Sequence, residues 1–206
     1  PLELAHRIAM LDHLARGRFY WGIGFRGIPT DMELFSLDPK EALGQAKGQQ
    51  VVKRAMEVLE LVLAIWSADT KFTYNGEYFK VDAPEFNPSL GRGLYMKPFQ
   101  LPHPPIGIAG STPNSQSLQM AGERGWIPMS GTNLFPSQLR DQWTLIENSA
   151  FNANRKANRN EWRIVRDVYV GETPQKAREE ARAVLGKAYR EHLYPVRKNA
   201  GILHQF

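Results

Sequence analysis

Pro104-Pro105-Ile106-Gly107-Ile108-Ala109-Gly110, followed at once by Ser111-Thr112-Pro113-Asn114-Ser115, decides the fold. The first string is a short apolar run ended by glycine and reads as a buried strand. The second gathers hydroxyls, an amide and a proline where a helix opens, and that helix runs to about Gly125. Trp126-Ile127-Pro128-Met129-Ser130 then reads as another strand. Strand, helix and strand in this order call for parallel strands joined by a right-handed crossover.

The pattern continues downstream. A helix is predicted from Pro136 to about Phe151, and a strand over the stretch from Trp162 to Val170. Thr173 and Pro174 supply the N-cap and first position of a last helix through Ala181, Leu185 and Tyr189. Upstream, Pro1 opens a helix that places Leu4, Ile8, Leu11 and Ala15 on one face. Arg18-Phe19-Tyr20-Trp21-Gly22-Ile23-Gly24-Phe25 predicts a strand. A long helix follows Asp38-Pro39 and reaches about Ala68, with Val52, Ala55, Val58, Leu59, Val62, Ile65 and Trp66 at threes and fours. Asn75-Gly76, between Phe72-Thr73-Tyr74 and Glu77-Tyr78-Phe79-Lys80-Val81, predicts a hairpin with a two-residue turn of positive φ. Four strand–helix units fit either an open doubly wound sheet or half of a (β/α)8 barrel.

Composition bounds the function. The 206 residues match about one domain. Hydrophobic residues at 42% and charged residues at 23% belong to a globular chain rather than a disordered one. Lysine plus arginine number 26 against 21 acids, and the net charge of +5 suits anionic ligands but is too mild and too evenly spread for nucleic acid. The longest apolar stretch, residues 58–66, is interrupted by Glu60 and falls short of the ~20 residues of a membrane-spanning helix. Without cysteine the sequence offers no disulfide, thiolate metal site or cysteine nucleophile, and the cytoplasm is the default compartment. The opening lacks the basic and apolar regions of a signal peptide. A chain that starts inside an amphipathic helix and ends on apolar residues reads as a piece of a larger domain, expected on its own to fold poorly or to associate through unpaired strand edges.

Functional loops in such folds lie at the carboxyl ends of the strands. Two are equipped to hold an anion. Phe25-Arg26-Gly27 sets an arginine past a strand end beside a glycine that lets a ligand approach the backbone. In the loop Gly110-Ser111-Thr112-Pro113-Asn114-Ser115, hydroxyls and N–H groups meet at a helix start, where the dipole favours phosphate. The same residues also make an ordinary helix cap, and a loop arginine is ordinarily solvated. Asp31, Glu33 and Asp38 could serve acid–base work, although loops carry such charges routinely. His6, His13, His103, His192 and His204 show no metal-ligand spacing, and no GxSxG, HExxH or P-loop pattern occurs.

The string Ala5-His6-Arg7-Ile8-Ala9-Met10-Leu11-Asp12-His13-Leu14-Ala15-Arg16-Gly17-Arg18-Phe19 closely resembles the helix-plus-strand signature of the bacterial luciferase-like flavin-dependent monooxygenases. Gly22-Ile23-Gly24-Phe25-Arg26-Gly27 and Pro98-Phe99-Gln100-Leu101-Pro102-His103-Pro104-Pro105-Ile106 are similar to the same family. Asp38-Pro39, the hairpin and Ala121-Gly122-Glu123-Arg124-Gly125 resemble its limonene-monooxygenase-like branch.

The resemblance implies an α/β fold, a partial (β/α)8 TIM barrel of about strands 4 to 7 with an inserted β-hairpin, as a single incomplete domain over residues 1–206. It implies reduced FMN, or the deazaflavin F420 in some branches, at the carboxyl-end mouth. Arg26 matches the family's phosphate-binding arginine, and Ser111, with Thr112, Asn114 and Ser115, its phosphate loop, to which Ala109 and Gly110 lead. Met129 and Ser130 fall where the family packs residues near the flavin ring. For a second phosphate arginine of some members, Lys47, Lys53 and Arg54 stand as candidates. The implied reaction is monooxygenation of a small organic, terpene- or hydrocarbon-like substrate by O2 through a flavin C4a-hydroperoxide, with reduced FMN from a flavin reductase. An F420-dependent oxidoreductase of the same fold and a non-catalytic flavin-binding protein or fragment are the alternatives. No residue is named as catalytic base. The expected partners are the substrate, O2, the reductase and either a homo-oligomer or completing segments; no nucleic acid, membrane or metal is expected.

Overall fold

The computed structural model describes residues 1–24, 45–93, 96–131 and 134–199, with all of their side chains except those of 45–48, 197 and 199. The chain divides into two compact units, Pro1–Gly107 and Ile108–Phe206.

The first unit contains α1 (Leu2–Ala15), β1 (Trp21–Ile23), α2 (Gln45–Ser67), and an antiparallel pair, β2 (Phe72–Asn75) with β3 (Lys80–Ala83). Its core joins Ala5 and Ile8 of α1 to Val62, Ile65 and Trp66 of α2, as the spacing of α2 predicts, and to Leu61, which that spacing omits. Each large apolar side chain buried this fully contributes roughly 1.5–3 kcal/mol. Trp66 Nε1 donates to the Ala5 carbonyl at 3.2 Å, and its ring meets Trp21 edge-on at 5.4 Å.

The inward face of α1 differs from the predicted one. Ala5, Ile8, Ala9 and Asp12 are buried, whereas Leu4 and Leu11 are 39% and 48% exposed. The Asp12 carboxylate is satisfied inside by Gln100, whose backbone N and Nε2 donate to it at 2.7 and 2.8 Å. Of the strand expected over residues 18–25, the described residues 18–24 form β1 alone, which runs beside the start of β4 (Ile106–Gly110); Trp21 N donates to the Pro105 carbonyl at 2.9 Å.

The hairpin also departs from expectation. Asn75 pairs with Lys80, so the loop is residues 76–79 rather than a two-residue turn, and Gly76 has no positive φ. Glu57 of α2 overrides the local preference: its carboxylate accepts the N–H groups of Glu77, Tyr78 and Phe79 at 3.0, 3.1 and 2.8 Å. Glycine serves a close approach here, because a Cβ at position 76 would collide with that carboxylate.

The second unit begins within β4 and continues through α3 (Gln116–Arg124), β5 (Ile127–Ser130), α4 (Pro136–Asn152), β6 (Arg163–Ile164) and α5 (Pro174–Ala188). A π-helical turn, Tyr189–Leu193, leads into α6 (Tyr194–Asn199). Strands β4, β5 and β6 lie side by side in that order, and β5 pairs with β6 in parallel, Met129 opposite Arg163 and Ser130 opposite Ile164. This is the parallel α/β arrangement that the strand–helix alternation predicts. Helix α3 ends on Gly125 at φ 69°, the left-handed C-terminal position where glycine costs nothing. Helices α3 and α4 pack so closely that a Cβ on Gly122 would lie 2.5 Å from the Ile146 carbonyl. Leu118, Trp143 and Ile146 form the core, flanked by Ala157 and Trp162.

The long strand predicted from Trp162 to Val170 shrinks to the two residues of β6. Beyond Ile164 the apolar run is left uncovered by the described residues, Val168 and Val170 being 79% and 87% exposed. At α5 the predicted cap is present, Thr173 Oγ1 accepting the Lys176 N–H at 3.1 Å. Among the described residues no helix is long and apolar enough to cross a membrane.

Candidate functional site

Strand β4 buries Ile106 and Ile108 on one face and exposes Ala109 on the other. Gly110 ends it, and the chain turns into α3, whose N-cap is Ser115. A Cβ on Gly110 would stand 2.5 Å from Leu118 Cγ and 2.6 Å from Ser115 Oγ. Only glycine lets the helix start so close to the strand end. The Ser115 side chain makes no capping bond, so it does not take up the N–H groups that the first turn of a helix leaves over. The loop between has no ionisable side chain. Its attraction for an anion therefore rests on peptide dipoles, hydroxyls and the helix terminus.

A buried glutamine of α4 holds this loop. Gln142 is fully buried, and its Nε2 donates to the Thr112 carbonyl at 2.8 Å and, more weakly, to the Gly110 carbonyl at 3.4 Å. Its Oε1 accepts from Ser130 Oγ at 2.6 Å, and that hydroxyl accepts from Trp162 Nε1 at 2.8 Å. Trp162 stacks on Trp143, the residue after Gln142, at 5.4 Å, and the Arg159 guanidinium lies over both indoles at 5.4 and 6.0 Å. One hydrogen-bonded chain thus ties β4, β5, α4 and the entry to β6.

The predicted residues divide accordingly. Gly110, Thr112 and Ser130 are brought together by Gln142, and Ser115 abuts Gly110. Ser111 and Asn114 are exposed, and Met129 is half-buried on β5. Ser130 is 1% exposed and spends its hydroxyl inward, supporting the loop from beneath. Arg26, Asp31, Glu33 and Asp38 lie outside the described residues, as does the Lys47 side chain. Lys53 is exposed, and the Arg54 guanidinium lies over the Phe79 ring at 5.7 Å. His13 is a helix-surface residue, its Nε2 2.9 Å from the Lys97 carbonyl. Among the described residues no group of His, Asp or Glu could hold a metal ion. An open cleft of about 850 Å³ in the first unit, lined by His13, Trp66, Lys97, Phe99 and Leu101, includes none of the loop.

Gln142 and Trp162 were not singled out by sequence reasoning. The usable signal is a polar residue inside the apolar periodicity of α4, where Gln142 shares the buried face with Trp143, Ile146 and Ala150.

The site is thus an uncharged, hydroxyl-rich loop between a strand end and a helix start in an α/β sheet. The model of the luciferase-like monooxygenases matches residues 1–204, and the chain belongs to that family. Among its relatives, 2,5-diketocamphane 1,2-monooxygenase 1 of Pseudomonas putida is 28% identical over 209 residues, which cover 96% of this chain and 53% of that protein. Limonene 1,2-monooxygenase of Rhodococcus erythropolis is 25% identical over 186 residues, 88% of this chain and 42% of the relative. A solved structure, the oxygenating constituent of 3,6-diketocamphane monooxygenase from the CAM plasmid of Pseudomonas putida in complex with FMN, superposes with a TM-score of 0.79 at 23% identity. It is matched over 100% of this chain and 55% of its own. The chain spans about half the length of these relatives.

Proposed function

We propose that the protein is a flavin-dependent monooxygenase that uses reduced FMN and O2 to oxygenate a small, terpene- or hydrocarbon-like substrate in the cytoplasm. A reductase partner supplies the reduced flavin, and the 206 residues form about strands 4 to 7 of a (β/α)8 TIM barrel with an inserted hairpin. Family membership supports the reaction class. One observation carries the site: the loop 110–115 is held by its carbonyls at Gln142 while glycine brings a helix start against the strand end.

In this reading Ser111, Thr112, Asn114 and Ser115 hold the FMN phosphate, with Ala109 and Gly110 leading the backbone to it. Arg26 adds charge-assisted hydrogen bonds to the same phosphate. The fit is chemical: an uncharged loop at a helix start accepts a dianion without repulsion. Met129, at the end of β5, packs near the ring, and Ser130 supports it from below. Reduced FMN, when bound, supplies the electrons with which O2 is divided between product and water. The protein's own residues bind the phosphate, orient the ring and keep water from it.

The test is a reconstituted assay with an added flavin reductase, FMN and a bicyclic terpene ketone under ¹⁸O2. One labelled oxygen atom in the product is the expected result. Oxygen-independent oxidation of an alcohol coupled to F420 would assign the F420 alternative, and FMN retention without turnover a non-catalytic flavin binder.

A further inference from the structure

We infer that Gln142 is the positioning residue of the phosphate loop, and that Trp162, through Ser130, sets the direction in which its amide points. The inference rests on the FMN reading above and concerns how the loop is readied for the phosphate.

The direction of the chain follows from the donors and acceptors each group owns. An indole N–H can only donate. Trp162 Nε1 therefore donates to Ser130 Oγ, and the single hydroxyl hydrogen of Ser130 is left to bond Gln142. Gln142 presents Oε1 to that hydrogen, and its NH2 faces the loop. There its two hydrogens match two carbonyls, of Thr112 and Gly110. Every polar atom of the buried amide is used, and the reverse orientation would set a carbonyl oxygen against two others.

The consequence for the loop is geometric. The peptide between Gly110 and Ser111 is trans, so its N–H points opposite to its C=O. Turning the Gly110 carbonyl toward Gln142 turns the Ser111 N–H to the other side. Fixing the Thr112 carbonyl immobilises the peptide that leads into Pro113 and hence the approach to α3. Gln142 is buried behind the loop; it acts by holding the backbone in a phosphate-accepting form before binding, which removes an ordering cost at the moment of association.

The test compares the affinities of FMN and riboflavin, two probes that differ by the phosphate, measured by flavin fluorescence on the full protein and its variants. In the unaltered protein FMN must bind more tightly; equal affinities there would count against the FMN reading itself. With that preference present, Gln142→Met, which keeps the size and removes both donors, is expected to weaken FMN about tenfold while riboflavin changes less than about twofold. A purely structural role would weaken both probes alike, and that result overturns the inference, as does no change in either. Trp162→Phe and Ser130→Ala leave the amide in place and release its direction. Each is expected to lower the FMN-to-riboflavin preference about threefold. Should Gln142→Met fail to fold, these two decide, and an unchanged preference in both overturns the inference.

Discussion

The hairpin loop 76–79 and the loop 110–115 are each held by one side chain from a helix, and the two side chains grip opposite halves of the peptide group. Glu57 accepts three consecutive N–H groups, so the protein fills that concavity with its own carboxylate. Gln142 donates to carbonyls, which turns the Ser111 N–H away from it. The first loop is closed on an internal anion; the second, in the function proposed above, takes an external one.

That contrast can be broken at several points. Glu57→Ala is expected to have the largest effect, a loss of about 3 kcal/mol in urea unfolding, because charge-assisted hydrogen bonds go and three N–H groups lose their acceptor. Amide exchange at residues 77–79 should accelerate in the same variant; unchanged protection would mean that the apolar contacts of Phe72, Tyr74 and Phe79 hold the hairpin without it. Gly110→Ala should destabilise by about 2 kcal/mol, because its new methyl meets Leu118 and Ser115 at overpacked distances. Thermal unfolding at the wild-type temperature would show that α3 can retreat from β4 without cost. The smallest effect belongs to Trp162→Phe, about 1 kcal/mol, since a ring stacked on Trp143 survives while the donor to Ser130 is lost.

Local signals predicted much of this architecture. The order of strands and helices after Pro104, the Thr173 cap and the glycine stop at Gly125 are set by neighbouring residues and are present in the structure. That Gly110 ends a strand and that a helix opens after Ser115 was legible for the same reason. What failed depends on distant partners. Asn75-Gly76 favours a two-residue turn, but a carboxylate 20 residues upstream captures the loop. In α1 the large apolar residues mark one face, yet the helix turns inward the alanines and an aspartate that Gln100 satisfies. Two stretches that resemble the family separately, residues 5–19 and 98–106, meet at that pair. Gln142 bonds residues 30 and 32 positions away, and no spacing announces it.

The central claim is that the loop after β4 recognises a phosphate. Titrating the protein with FMN and with riboflavin, at one ionic strength, tests it most directly. The account predicts FMN bound roughly tenfold or more tightly, with the advantage lost when Arg26→Ala and Ser111→Ala are combined. Equal affinities for the two flavins in the unaltered protein would contradict it.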